Sequence, residues 1–302
     1  FITQSTNIYL WNNTISNHDD EDITLYTNSI IYSIGTTFST IEVSSNSILT
    51  VKSYIDLDVN DASGDNKSGI DIKVMENDLQ KYATSYFGGS DPKTDSSGTI
   101  ATFLINSKKY DGSSTAEIIP TYVSARYHDW VETTSFDSSN TIQITVPDLR
   151  VQNTRTGTLT YHIQTALDDA NSGDTIRAWA GTYYENLEIN DDITLEGNGT
   201  STIINGTYTG DAIKIEEDNV IIKNLTVISS STGGDEAGIA VVDSEDVQIL
   251  NVKFIDNVNG LYLEDAQDLT LSNSIFDVKD YGVYASGSSS GLLIQDSQFR
   301  NG

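Results

Sequence analysis

Apolar and polar residues alternate in short runs along most of this chain, and in residues 238–302 the runs recur about every 22 residues. Blocks beginning at Gly238, Gly260 and Gly282 carry apolar residues at matching offsets, then an Asn or Asp, then a phenylalanine, and the last block is displaced by one residue. The matching sets are Ile239, Leu261 and Val283; Val241, Leu263 and Ala285; Val247, Leu269 and Leu292; Ile249, Leu271 and Ile294; Asn251, Asn273 and Asp296; and Phe254, Phe276 and Phe299. An earlier copy comprises Ile213, Ile215, Val220, Ile222, Asn224 and Val227, with a longer loop after it.

A period of two over short runs broken by Gly, Asp, Asn or Ser predicts β-strands rather than helix. One unit of about 22 residues cannot bury its own apolar face, so it must stack on a copy of itself. The repeat therefore predicts a parallel β-helix, whose interior consists of columns of like residues about 4.8 Å apart. In these columns we expect the phenylalanines in the core and the asparagines in an inward amide ladder that bonds the turns.

The first 50 residues carry the same spacing. The run from Ile8 to Ile15 matches the run from Leu269 to Phe276, so residues 1–50 are predicted to form the terminal coils of a β-helix. Residues 51–149 keep the alternation but lose the 22-residue repeat, and about seven strands in this length are typical of an antiparallel sandwich. The predicted domains are thus 1–50, 51–149 and 150–302.

A helix is predicted near residues 161–171, because apolar residues recur at helical spacing from Tyr161 to Ala170 before Asn171 and Gly173 end the pattern. A Gly181-Thr-Tyr183 turn and an Ile193-Thr-Leu195-x-Gly197 run follow. This order resembles the start of right-handed parallel β-helices of the pectin-lyase-like superfamily, and the resemblance implies that the helix caps the first coil.

The middle segment has its own resemblance. Its Leu57-Asp-Val59-Asn-Asp-x-x-Gly64 hairpin pattern and the later Thr94-Asp95-x-x-Gly98-Thr pattern resemble immunoglobulin-like modules of archaeal and bacterial surface proteins. The predicted fold class is therefore all-β, with right-handed parallel β-helix segments at both ends flanking an immunoglobulin-like β-sandwich, and with one short capping helix. The resemblance implies a microbial cell-surface protein, and an archaeal one is our expectation.

The amino-acid composition limits the binding partners and the kinds of metal site that this protein can have. The chain has 44 acidic and 16 basic residues, a net charge of −28 and no cysteine. This charge disfavours nucleic acid and anionic lipid as partners, and the lack of cysteine excludes disulfides and thiolate metal sites. The sequence has no apolar run long enough to span a membrane and no segment like a signal peptide. Since it begins at Phe1, we expect a processed or excerpted piece of an extracellular protein.

The two termini read as complementary parts of one coil. If Gly302 is placed directly before Phe1, the joint matches the Gly260–Asn273 block with one deletion. We therefore expect identical copies to associate head-to-tail, in an open arrangement that makes fibres. A segment cut from a protein with different neighbours is the alternative. The predicted junction residues are Phe1, Ile2, Ile8, Leu10, Asn12, Val283, Leu292, Ile294, Phe299 and Gly302.

Carboxylates recur in the turns of the repeat, and stacking them at coil spacing requires raised pKa values or a cation. Calcium is the only cofactor these residues suggest, because it takes several carboxylate oxygens; a solvated acidic face is the alternative. The candidate ligands are Asp243, Asp246, Asp265 and Asp268 in the repeat and Asp58, Asp61 and Asp65 in the middle segment. Sequons at Asn66, Asn198 and Asn205 lie in predicted loops and are candidate glycan sites, whereas those at Asn12 and Asn224 fall on the inward ladder.

The predicted function is mechanical: an extracellular filament, sheath or surface-layer element built from β-helix shafts. The alternative is a polysaccharide-binding adhesin, with Tyr183, Tyr184 or Trp130 as stacking platforms and surface glycans as partners, or a polysaccharide lyase or hydrolase of the same superfamily. The histidines, His18, His128 and His162, are widely separated, and the basic residues of 160–302 occupy different offsets in the repeat. Acid pairs abound, so the carboxylate pattern of a hydrolase is uninformative. On this basis the chain is predicted not to be an enzyme.

Overall fold

The computed structural model of the chain describes residues 2–3, 7–16, 21–136, 141–207, 209–228 and 236–301. These residues divide into two compact units, the first containing residues 1–127 and 131–147, and the second containing residues 128–130 and 148–302. Both are built almost entirely of β-strands, which confirms the all-β fold class. The finer boundaries at residues 50 and 149 stay predictions.

The first part of the chain, up to residue 147, holds strands and one 3-10 turn at Ser85–Phe87. The strands are β1 (Ile2–Thr3), β2 (Ile8–Trp11), β3 (Ile23–Tyr26), β4 (Ile30–Ile34), β5 (Ile41–Val43), β6 (Ile48–Asp61), β7 (Asp71–Glu76), β8 (Leu79–Ala83), β9 (Phe103–Asp111), β10 (Glu117–Ile118), β11 (Thr121–Tyr127), β12 (Trp130–Phe136) and β13 (Thr141–Val146).

The first five strands and the start of β6 form stacked coils. Strands β1, β3 and β5 pair in parallel on one side, and β2, β4 and β6 pair in parallel on the other. Ile8 lies opposite Ile31, and Ile30 lies opposite Ile48, so one coil contains 23 residues and the next 18. Alternate residues such as Leu25 and Leu49 are fully buried between the two sides.

Strand β6 joins the coils to the rest of the unit. Its residues Ile48–Ile55 pair antiparallel with β9, and its later residues pair in parallel with β13. Strands β12, β11, β7 and β8 form a separate sheet in that order. The immunoglobulin-like character of this segment stays a prediction.

The second unit holds helix α1 (Ile163–Asp168), a 3-10 turn at Gly199–Ser201 and a long series of short strands. The strands are β14 (Val151–Asn153), β15 (Leu159–Thr160), β16 (Thr175–Ala178), β17 (Gly181–Tyr184), β18 (Leu187–Ile189), β19 (Thr194–Glu196), β20 (Thr202–Asn205), β21 (Ile213–Ile215), β22 (Ile221–Ile228), β23 (Ala237–Val242), β24 (Gln248–Ile255), β25 (Asn259–Glu264), β26 (Thr270–Ser272), β27 (Ile275–Val278), β28 (Val283–Ser286), β29 (Leu293–Gln295) and β30 (Gln298–Asn301).

From β16 onward each strand pairs in parallel with its counterpart one coil later, which confirms the predicted β-helix. One sheet runs β18-β21-β23-β25-β28, and another runs β16-β19-β22-β24-β26-β29, with β17-β20-β22 and β24-β27-β30 completing the coil. Ile239 lies opposite Leu261, and Leu261 opposite Val283. Leu271 lies opposite Ile294, which confirms the one-residue displacement of the last block.

Helix α1 covers the first coil, as the resemblance implied, although it is shorter than the predicted 161–171. Its Ile163, Ala166 and Leu167 are buried in the core that continues through the coils. The Glu185 carboxylate accepts the backbone N–H groups of Ile163 at 3.0 Å and Gln164 at 2.9 Å, which pairs N–H groups that a helix start leaves without partners. Among the described residues no helix is long and apolar enough to cross a membrane.

The phenylalanine column lies in the core, as predicted, and explains the repeated glycine. The ring centroids are 4.4 Å apart for Phe254 and Phe276 and 4.6 Å apart for Phe276 and Phe299, with the rings nearly parallel. A Cβ on Gly260 would lie 2.4 Å from Cδ1 of Phe276, and one on Gly282 would lie equally close to Phe299. The glycine recurs because the ring of the same coil occupies the space of a side chain.

The asparagine column faces outward, so the predicted inward ladder is wrong. Asn251, Asn273 and Asp296 are exposed, as is Asn12, and Asn224 is half-buried. All five have φ between 51° and 59°, the left-handed region that Asn and Asp tolerate better than other side-chain residues. The recurring Asn or Asp lies at a left-handed bend that turns its own side chain outward, while residues next to it in the sequence are buried. The reasoning that burial protects the sequons at Asn12 and Asn224 fails with it.

Candidate functional site

The most distinctive surface of the second unit is its last described coil, formed by β28, β29 and β30. No strand among the residues that the structure describes pairs with the far edge of this coil. Phe299 is 50% exposed, Ile294 is 40% exposed and Leu292 is 37% exposed, whereas their counterparts one coil earlier are buried. We call this surface the open layer. It combines unpaired strand edges with apolar side chains, and both favour the addition of a further coil.

Strand β2 of the first unit carries a pattern similar to that of β29. In β2, Ile8 and Leu10 pack against the core of that unit, while Tyr9 and Trp11 face outward. Asn12 follows with φ of 51°, the same value as Asp296 in the open layer. Strand β2 and Asn12 therefore share their inward–outward alternation and their left-handed bend with β29 and Asp296.

The predicted junction stays a prediction, but its register at β1 differs from the pairing within the chain. Counting Gly302 directly before Phe1 sets Ile2 in register with Tyr262, an outward position. The structure instead pairs Ile2 with Leu25, which is fully buried, and a shift of one residue moves a strand's side chains to the other face. The register at Ile8, Leu10 and Asn12 is unaffected. Phe1 and Gly302 lie outside the described residues, as does His18.

The acidic turns of the repeat have a structural role that the sequence analysis missed. Asp243, Asp246, Asp265 and Asp268 all have φ between 48° and 57°, so each sits at a left-handed bend. The Asp265 carboxylate accepts the backbone N–H of Ser288 at 2.6 Å, a bond to the next coil. Among the described residues no three His, Cys, Asp or Glu side chains are grouped to hold a metal ion. Calcium binding stays a prediction.

The carboxylate of Asp61 in the middle segment already has protein partners. One oxygen accepts bonds from the backbone N–H groups of Ser63 at 3.0 Å and Asp65 at 2.9 Å, and the other lies 2.8 Å from Lys67 Nζ. The hydrogen bond from Lys67, followed by the bonds from Ser63 and Asp65, holds the pKa of Asp61 well below its usual range. Asp58 accepts Gln143 Nε2 at 3.1 Å. The bonds of the Asp61 carboxylate to Ser63, Asp65 and Lys67 hold together the loop between residues 61 and 67.

The candidate glycan sites are placed in loops or at a strand end. Asn66 and Asn198 are exposed, and Asn205 is half-buried at the end of β20. Modification of these side chains stays a prediction.

The cap end of the second unit contains a cavity of about 100 Å³, lined by Arg150, Tyr161, His162, Tyr184 and Glu185 among others. Although His162 Nδ1 lies 3.6 Å from Glu185 Oε1, both oxygens of that carboxylate already accept N–H groups of α1. This arrangement supports the cap.

Of the predicted stacking platforms, Tyr183 is a cap residue. It is 7% exposed, its hydroxyl donates to the carbonyl oxygens of Arg150 and Trp179, and burial raises its pKa to about 12. Tyr184 is 71% exposed and Trp130 is half-buried.

The sequence analysis missed a row of outward tyrosines beside the open layer. The ring centroids of Tyr262 and Tyr284 are 5.6 Å apart, and those of Tyr281 and Tyr284 are 5.4 Å apart. Tyr281 is 59% exposed, and Tyr284 is 36% exposed. The signal was present, because Tyr262 and Tyr284 both follow a repeat glycine by two residues, at an outward offset of the strand.

Comparison with known proteins locates the second unit within a family. The family described as right handed beta helix region matches residues 150–302. No curated protein matches the chain. Among solved structures, a pectin methylesterase from Yersinia enterocolitica is similar at 16% identity and a TM-score of 0.32, over 45% of this chain and 54% of that protein. This chain thus spans about half the length of that enzyme.

Two further solved structures are similar at 12% identity and a TM-score of 0.26. One is a candidate glycosyl hydrolase from Parabacteroides merdae, where the match covers 45% of this chain and 88% of the hydrolase. The other is a pectin methylesterase from Aspergillus niger, where the match covers 52% of this chain and 86% of the esterase. The prediction that the chain is not an enzyme is wrong, because the similar structures are enzymes. The sequence argument sought basic residues at equivalent offsets, but one coil alone can carry a site. At such identities and TM-scores these likenesses assign no activity.

Proposed function

The chain belongs to the right handed beta helix family, and from that premise we propose that it is an extracellular structural protein whose coils are extended end to end by further copies of itself. The observation that carries the proposal is the open layer, where Phe299, Ile294 and Leu292 are exposed although their counterparts one coil earlier are buried. A covering coil would bury them and pair the strand edges of β28, β29 and β30. Burial of apolar surface is worth about 25 cal/mol per Å².

The occupant that fits is the first described coil of a second copy. Strand β2 would add to β29 with Ile8 opposite Leu292 and Leu10 opposite Ile294, so that inward residues meet inward residues. Head-to-tail addition of one patch to a different patch generates an open fibre rather than a closed ring. A net charge of −28 would keep such a fibre soluble and limit its side-by-side association.

A designed disulfide tests the register. In the proposed alignment Tyr9 of one copy lies opposite Leu293 of the next, at the spacing of about 4.8 Å between neighbouring strands, which suits a disulfide. Because the chain has no cysteine, a variant with Tyr9→Cys and Leu293→Cys can link only through these two positions. Oxidation should give dimers, trimers and longer species on a non-reducing gel, and electron microscopy should show threads of constant repeat.

The matched control pairs Leu293→Cys with Tyr26→Cys, an exposed tyrosine of β3. This pair should give no ladder, because β3 continues the opposite side of the coil. A monomer band alone from the first pair, or equal ladders from both, would refute the proposed alignment.

A second candidate function, binding of a surface polysaccharide, is favoured by the tyrosine row. The stacked rings of Tyr281 and Tyr284 and the adjacent, tilted ring of Tyr262 offer flat apolar faces. The Tyr262 hydroxyl lies 3.1 Å from Ser286 Oγ, which adds polar groups at the edge. Retention of the chain on an insoluble neutral glycan, lost with Tyr281→Ala and Tyr284→Ala but kept with Tyr184→Ala, would support this function. Equal retention of all three variants would reject it.

A further inference from the structure

Each of the two units has a column of left-handed bends at matching positions of its coils. In the second unit the column is Asn224, Asn251, Asn273 and Asp296, and in the first it is Asn12 followed by Gly35, all with φ between 51° and 59°. Asp296 is the last described member of its column, and Asn12 is the first described member of the other. The end-to-end alignment proposed above brings these two residues into adjacent coils.

Two of these amides make contacts between neighbouring coils, whereas Asn273 Nδ2 donates to the adjacent Ser272 Oγ at 3.4 Å. Asn251 Nδ2 donates to Asn224 Oδ1 at 2.9 Å, so this amide directs its nitrogen toward the preceding coil. Asn12 directs its oxygen toward the following coil, because Oδ1 lies where a Cβ on Gly35 would be, 2.2 Å from that position. Its Nδ2 is therefore left for the preceding coil, on the edge where a second copy would add.

The preceding coil would present Asp296, a carboxylate that only accepts hydrogen bonds when ionised. We infer that Asn12 of one copy donates through Nδ2 to the Asp296 carboxylate of the copy before it, and that this bond selects the head-to-tail register. The inference rests on the proposed end-to-end function and identifies its specificity-determining pair. An ionised carboxylate can only accept hydrogen bonds, so the amide of Asn12 can pair with it only through Nδ2 and not through Oδ1.

Exchange of the two groups tests the pair. Asn12→Asp alone would place two carboxylates in contact, and we expect the dissociation constant for association to rise at least about tenfold, equivalent to about 1.4 kcal/mol. Adding Asp296→Asn to that variant reverses the amide–carboxylate pair, and it should restore association to within about threefold of the unsubstituted chain. Sedimentation equilibrium measures each constant, and the melting temperature of the dilute chain shows that each variant is folded.

Asn46→Asp is the matched control, because Asn46 is also exposed in a left-handed bend of the first unit, with φ of 65°, but lies away from the added edge. This variant should associate like the unsubstituted chain. Association that is insensitive to Asn12→Asp, or that the second substitution does not restore, would overturn the pair while leaving end-to-end stacking in place. If the unsubstituted chain fails to associate, the stacking and the pair are both overturned.

Discussion

Truncation of the phenylalanine stack should cost different amounts at its middle and at its open end. Phe276 is fully buried and stacks on a ring at each side, with centroids 4.4 and 4.6 Å away, while Phe299 is 50% exposed and stacks on one ring. A buried Phe→Ala change costs about 3–5 kcal/mol, and each stacked pair adds about 0.5–1.5 kcal/mol beyond burial. We therefore expect about 4–8 kcal/mol for Phe276→Ala, which loses two stacked pairs, and about 2–4 kcal/mol for Phe299→Ala, which is half as buried and loses one.

Urea unfolding followed by tryptophan fluorescence measures the difference. Replacing Trp11 and Trp130 by Phe leaves Trp179 of the second unit, so the signal reports the unit that carries the stack. The chain should be dilute, because an added coil would cover Phe299. The comparison uses the midpoint together with the slope, since a change in slope would show that the coils no longer unfold together.

Equal losses for Phe276→Ala and Phe299→Ala in dilute solution would refute the reasoning, because they would mean that the last ring is as well covered as the middle one. Repeating the unfolding measurements at several protein concentrations gives a second test. If copies stack end to end, the cost of Phe299→Ala should grow with protein concentration, whereas that of Phe276→Ala should change little.

Three further perturbations test the cap and the columns. Gly260→Ala should destabilise the second unit by about 1–3 kcal/mol, measured by thermal melting, since the added Cβ would lie 2.4 Å from Cδ1 of Phe276; an unchanged melt would contradict the close packing. Tyr183→Phe should cost about 0.5–1.5 kcal/mol, because the buried hydroxyl donates to two carbonyls, whereas Tyr184→Phe in an exposed ring should have no effect on the same melt. The hydrogen bond from Arg155 holds the pKa of Asp174 well below its ordinary value of 3.8. The stability it supplies is therefore present above about pH 4 and lost as the pH falls below that value, so unfolding curves for Asp174→Asn should show a weaker dependence on pH between about 2 and 4.

Much of the fold is readable from the sequence because a β-helix repeats one local pattern. The apolar columns, the phenylalanine stack and the displaced last block follow from spacing, since each coil must bury the same offsets against its neighbours. Spacing also predicted the helix, while its role as a cap came from the family resemblance. The glycine at 260 was also visible as a repeat. The sequence does not show why a glycine is needed there; in the folded chain the ring of Phe276 packs against its Cα.

The sequence was least informative where one residue position decides the direction of a side chain. It placed Asn251 and its relatives at recurring positions, but the left-handed bend that turns them outward depends on φ, which spacing does not reveal.

The candidate site divides in the same way. The sequence by itself determined that coils repeat and that β2 continues their pattern, because periodicity is a property of the chain. Only the tertiary structure decided that Phe299 and Ile294 stay exposed while Phe276 and Leu271 are buried, and that Asn12 directs its nitrogen away from Gly35. Exposure and hydrogen-bond direction depend on which coil lies next to which, and that neighbour is fixed by the folded chain.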